Sequence, residues 1–138
     1  MKNTINVSWS DNMKFVTELN GHKITLDADE NTGGNDEGPR PKALMMVALA
    51  GCTGMDVISI LKKMKVDVTY FNIQVEGHTK DEHPKKFEAM KVIYEFKGNN
   101  LEFSKLEKAV NLSIDRYCGV NANYRDAMEM TYEINILD

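Results

Sequence analysis

The sequence predicts an α+β fold, and three observations lead there: alternating polar and apolar residues from Thr4 to Ala28, one long apolar segment from Lys42 to Lys65, and a return to alternation after it. Strands and helices come in blocks, in the order βββ-α-ββ-α-β, which points to a largely antiparallel sheet around a long, buried central helix. With 138 residues the chain is expected to form one domain, residues 1–138, able to bury a core without disulfides or metal.

The first alternating stretch divides into three short strands: Ile5, Val7 and Trp9; Met13, Phe15 and Thr17; Ile24 and Leu26. Asn20-Gly21 marks the hairpin turn between the last two. Asp29 to Pro41 holds acidic residues, glycines and prolines that cannot build a core, so it reads as a loop long enough to suspect a functional or chain-crossing role. Pro41 suits a first helical position, and the helix from Lys42 to Lys65 is apolar on nearly every side, as expected of one surrounded by protein or lipid. Protein is the better surrounding, because Asp56 would cost about 3 kcal/mol inside hydrocarbon.

Thr69–Thr79 and Phe87–Phe96 alternate again and flank the turn Asp81–Pro84, giving a hairpin. A second helix opens at Phe103-Ser104, where Ser104 and Glu107 have the spacing of a capping box, and carries Leu106, Val110, Ile114 and Tyr117 on one face. Cys118-Gly119 is expected to end it, and Met128–Leu137 reads as the last strand.

The formal charge of −4 and the absence of a basic stripe argue against nucleic acid as a partner. No glycine-rich phosphate loop is present, so no nucleotide cofactor is expected. His22, His78 and His83 lack metal-binding spacing, and no metal is expected either. Met1–Asn12 lacks the apolar run of a signal peptide. A cytoplasmic protein with reduced thiols and no membrane partner is the expectation.

Chemistry centres on the two cysteines. Cys52 lies in Ala50-Gly51-Cys52-Thr53-Gly54-Met55-Asp56, and Cys118 follows the second helix. Only tertiary folding can bring them together, unlike the sulfurs of a C-x-x-C motif. Each glycine inside a helix costs about 1 kcal/mol against alanine, so Gly51 and Gly54 suggest a close approach by another element or a ligand. An inert core thiol remains the alternative at this point.

The run Gly38-Pro39-Arg40-Pro41 through Leu49-Ala50-Gly51-Cys52, continued by Asp56-Val57 and Ile60-Leu61, resembles the central helix of the OsmC family, the osmotically inducible and organic hydroperoxide resistance proteins. Tyr117-Cys118-Gly119-Val120 resembles its second cysteine motif, at close to the usual interval. The resemblance extends over essentially the whole chain and is to the divergent, OsmC-like branch. It implies an intertwined homodimer with the active sites at its interface, and a thiol peroxidase reaction without a cofactor. Cys52 would attack an organic hydroperoxide, Cys118 would resolve the sulfenic acid, and an external dithiol would reduce the disulfide.

That chemistry requires a thiolate, and here the sequence departs from the family. Lys42 stands where peroxidases of this fold carry a glutamate, and no arginine precedes Asp29. Arg40 and Lys42 are the candidate supporting cations. At 1.5 Å rise per residue Lys42 lies about 15 Å from Cys52 within one chain, so only a partner's Lys42 would reach it. Asp56, one turn beyond Cys52, opposes thiolate formation if close, unless Arg116 or a lysine neutralises it. The alternative to a peroxidase is a protein of the same fold that binds a small apolar ligand, hydrolyses esters weakly, or serves as a structural stress-associated dimer.

Overall fold

Alternation near the N-terminus produces β1 (Val7–Asp11), β2 (Lys14–Leu19) and β3 (His22–Leu26), which pair antiparallel in the order β1-β2-β3. Asn20 (φ 52°) and Gly21 (φ 82°) both take positive φ, the conformation a two-residue hairpin turn requires and the reason an Asn-Gly pair marks it. The computed structural model describes Met1–Asp138 and falls into two units, Met1–Met45 and Met46–Asp138.

In the first unit the long loop is organised by Asp27, whose buried carboxylate accepts backbone N–H bonds from Ala28 (2.8 Å), Asn35 (3.2 Å) and Glu37 (3.1 Å). These bonds, that of Glu37 foremost, hold its pKa below the ordinary carboxylate value against the opposing effect of burial. A short 3-10 turn, Glu30–Thr32, interrupts the loop, and Asp29 caps it through the Thr32 N–H at 2.9 Å. Ile5, Val7, Trp9, Met13, Phe15 and Leu19 are exposed within the chain.

The central helix α1 runs Leu44–Lys63, after the Pro41 and Lys42 carbonyls accept the N–H groups of Leu44 and Met45 at 3.1 Å. By length and composition it could cross a membrane. Only one stripe, Leu49, Thr53, Val57 and Leu61 at four-residue spacing, is buried in the chain. Val47 and Met55 are 62% and 74% exposed within the single chain. One chain supplies packing partners for one face of this helix.

The second sheet consists of β4 (Val68–Thr79), β5 (Phe87–Gly98) and β6 (Glu129–Ile136) in that order. β4 and β5 form the expected antiparallel hairpin, whereas β6 pairs parallel to β5, with Tyr94 opposite Ile134. A parallel return needs a crossover of a dozen or more residues. Here it consists of α2 (Phe103–Leu112), a π-helical turn (Ser113–Tyr117) and α3 (Gly119–Ala127). The central strand buries Met90, Val92, Tyr94 and Phe96 at period two, and Phe71 of β4 stacks on Phe96 with ring centres 4.5 Å apart.

One local expectation is corrected. Glu102, without a side-chain capping bond, precedes α2 where Ser104 was expected to cap it, because the helix already includes Phe103. The second helix does end at Cys118-Gly119, where Cys118 turns to an extended conformation (φ −78°, ψ 99°), but Gly119 then begins a further helix, α3, that the sequence reading did not expect. That helix escaped the sequence reading because Asn121, Asn123, Arg125 and Asp126 leave it little apolar periodicity.

Candidate functional site

The buried stripe of α1 fixes the rotation of the helix and so decides where Cys52 and Asp56 lie. Cys52 flanks the stripe and is half-buried, and Asp56 follows one turn later. Cys118 is buried at the break between the π-helical turn and α3; its N–H still bonds the Ser113 carbonyl at 2.8 Å. Its sulfur caps α3 by accepting the Asn121 N–H at 3.4 Å. Folding thus unites two distant cysteines. Both thiols are free, and the Cys52 sulfur, the Cys118 sulfur and an Asp56 carboxylate oxygen all lie within 4.8 Å of one another.

A chain of hydroxyl groups supports this cluster. Ser113 Oγ donates to Asp56 Oδ2 at 3.0 Å and lies 2.8 Å from Thr53 Oγ1, which lies 2.8 Å from the Tyr94 hydroxyl. Each hydroxyl has a single proton. Since Ser113 gives its proton to Asp56, it accepts from Thr53, and Thr53 accepts from Tyr94. The direction Tyr94 to Thr53 to Ser113 to Asp56 follows from that count, and every member is satisfied. Burial pushes the Tyr94 phenol up to about 12, so it keeps the proton that the chain needs. Sequence reasoning missed Thr53, Ser113, Tyr94 and Asn121. Thr53 and Ser113 had a visible signal, a hydroxyl within a helical segment next to apolar positions, but which hydroxyls would meet was not visible.

The electrostatics oppose easy ionisation of Cys118. Burial is the main cause that raises its thiol to about 11; the Asn121 N–H acts the other way, while Cys52 and Asp56 add to the rise. No lysine or arginine is among these principal influences. Asp56 is paired with the Ser113 hydroxyl rather than with Arg116 or a lysine. Arg40 is engaged by the Asp36 carboxylate and the Gly38 carbonyl within the N-terminal unit. Lys42 also belongs to that unit and immediately precedes the first full turn of α1.

Space for a small molecule lies on either side of α1 in the second unit. A cavity of about 410 Å³ is bounded by Met55, Asp56, Ile60, Lys63, Leu112 and Tyr117. A more open apolar groove of about 520 Å³ runs between Gly51, Gly54, Met55 and Ile58 of α1 and Phe71 and Ile73 of β4. This accounts for the two helix glycines differently. A methyl group on Gly54 would come 2.9 Å from Ile73 Cδ1, whereas Gly51 faces open space.

Comparison with known proteins follows the same outline. Residues 33–133 match the family described as OsmC-like protein. The chain is 29% identical over 132 residues to Protein YhfA of Escherichia coli K12, covering 95% of this chain and 96% of that protein. A crystal structure of a hypothetical protein from Aquifex aeolicus superposes with a TM-score of 0.85 at 26% identity, over 99% of this chain and 97% of the other. An organic hydroperoxide resistance protein OsmC from Legionella pneumophila shares the fold, with a TM-score of 0.66 at 15% identity over 96% and 97% of the two chains.

Proposed function

Because the chain belongs to the OsmC family, we propose that it reduces organic hydroperoxides with Cys52 as the attacking thiol and Cys118 as the resolving one. The observation that carries this reading is the pairing of a half-buried Cys52 with a buried Cys118 whose sulfur lies within 4.8 Å. The exposed member can meet a peroxide and the buried one is positioned to resolve it. A disulfide spans about 2.0 Å, so the sulfurs need to close by no more than about 2.8 Å.

Cys52 attacks the terminal peroxide oxygen as thiolate; the S–O bond forms, the O–O bond breaks, and the alkoxide takes a proton to leave as alcohol. Cys118 then attacks the sulfur of the Cys52 sulfenic acid. Its thiol proton passes to the departing hydroxide as the S–S bond forms, giving water, and because burial keeps Cys118 protonated that transfer has to accompany the attack. An external dithiol restores both thiols by exchange. The apolar part of the peroxide takes the cavity beside Asp56, where Met55, Ile60, Leu112 and Tyr117 provide adaptable contact.

The acting form is a homodimer. Its support is the exposed apolar face of α1 around Val47 and Met55, which a second copy would cover. The family match crosses the boundary at Met45, which supports residues 1–138 acting as one domain. A partner's Lys42 is the supporting cation in this arrangement, and a cytoplasmic setting keeps the thiols reduced. Arg40, held by Asp36, is the weaker candidate.

The placement of Asp56 beside both thiols supports a second reading, a family member with little peroxidase activity that binds an apolar ligand in the same cavity. Stopped-flow consumption of cumene hydroperoxide against hydrogen peroxide by the native protein, Cys52→Ser and Cys118→Ser decides between them. Loss with Cys52→Ser and a single turnover with Cys118→Ser are expected. Equal, negligible rates in all three proteins favour the ligand-binding reading.

A further inference from the structure

We propose that Cys52, Asp56 and Cys118 form a binding site for a thiophilic divalent cation, zinc above all, held by two sulfurs and one carboxylate oxygen. The site rests on the same clustered side chains as the peroxidase reading but not on peroxide turnover.

Geometry gives the first argument. Zinc holds thiolate sulfur at about 2.3 Å and carboxylate oxygen at about 2.0–2.2 Å, so two of its ligands are separated by at most about 4.6 Å. The three donor atoms already lie within 4.8 Å of one another. A small contraction around a central ion completes the arrangement. Two sulfurs with one oxygen exclude magnesium and calcium, which require oxygen ligands, and select zinc or a similar soft ion.

The surroundings give the second. Asp56 is oriented by Ser113, and Ser113 by Thr53 and Tyr94, all three fully buried. Outer groups of this kind fix a ligand's position before the metal arrives. Asn121 donates its N–H to the Cys118 sulfur, while its side-chain oxygen is buried without a hydrogen-bond partner. The residue that bonds the Cys118 sulfur thus carries a buried acceptor in need of a partner. A divalent ion supplies the positive charge that lets both sulfurs bind as thiolates beside the Asp56 carboxylate.

Binding releases the two thiol protons and slows the reaction of both sulfurs with peroxide. Metal and disulfide are mutually exclusive. Oxidation of the loaded site converts two zinc-bound thiolates, one hydroperoxide and two protons into the disulfide, alcohol, water and free zinc ion. The cluster would thereby act as a zinc-gated thiol pair, slow to react while loaded and releasing metal as it oxidises.

Anaerobic titration of the reduced protein with Co²⁺, followed by near-ultraviolet sulfur-to-cobalt absorption and by zinc displacement, tests the site without peroxide. The expected result is one Co²⁺ per chain, displaced by Zn²⁺, with binding weakened at least about tenfold in Asp56→Asn and in Cys118→Ser. Circular dichroism establishes that each variant is folded. Should Cys118→Ser not fold, Asp56→Asn and Ser113→Ala carry the test, the latter weakening binding about 10-fold or more while retaining the sulfur absorption. No sulfur-to-cobalt band in the native protein, or a cobalt affinity unchanged in the folded variants, overturns the proposal. Neither outcome alters the reading of peroxide turnover by the metal-free protein, which is measured separately.

Discussion

Replacing Asp56 by asparagine removes one negative charge beside two thiols while preserving an acceptor for Ser113. At the 4.8 Å limit of the cluster and an effective dielectric of about 20, a carboxylate and a thiolate repel by about 3.5 kcal/mol. Asp56 is only half-buried, and solvent screening reduces that to about 1–2 kcal/mol. The thiolate population of the cluster should therefore rise about 5- to 30-fold. Stopped-flow thiol loss with cumene hydroperoxide, run on metal-free Asp56→Asn and native protein at neutral pH, should show an acceleration of that order. The same change should shift Cys118 downward from about 11, though burial, its main cause, remains. An unchanged or slower reaction would refute the electrostatic reasoning. A slower one would instead make Asp56 the acceptor of a thiol proton.

Thr53→Val leaves the Tyr94 and Ser113 hydroxyls each short of a partner inside the core and should cost about 1–3 kcal/mol in urea unfolding; a neutral result would show that the hydroxyl chain does not support the fold. Asp27 has a depressed pKa in the folded chain, so the stability it contributes is present above the ordinary carboxylate value and is lost as pH falls through the folded value. Acid titration of Trp9 fluorescence, the single tryptophan and a residue of the same unit, should therefore show a transition that shifts to higher pH in Asp27→Asn, with no shift counting against the role of Asp27. Light scattering at micromolar concentration should give a dimer; a folded monomer would contradict the assembly inferred from the face around Val47 and Met55.

The α+β class, the six strands and the central helix were legible because period two and an unbroken apolar run survive in Ile24-Leu26, Met90 to Phe96 and Leu44 to Leu61. Asn20-Gly21 was legible for a stereochemical reason, since both residues accept positive φ. The third helix was not, because polar Asn121, Asn123 and Arg125 hide it, and nothing local says whether β6 joins parallel or antiparallel. The cysteine pair was visible as a motif resemblance, but its surroundings were not. Ser113 meets Asp56 and Thr53 from a distant part of the chain, and a sequence does not record which hydroxyl finds which carboxylate. The same limit applies to the meeting of Cys52, Asp56 and Cys118, whose side chains come from two separate elements.

The central claim, that Cys52 and Cys118 act together on a hydroperoxide, is tested most directly by treating the anaerobic, reduced and metal-free protein with one equivalent of cumene hydroperoxide, then mapping its peptides by mass spectrometry without reductant. The account predicts a Cys52–Cys118 disulfide within one chain, formed in step with one equivalent of cumyl alcohol. Unconsumed peroxide with both thiols intact, or Cys52 oxidised while Cys118 never pairs with it, would contradict it.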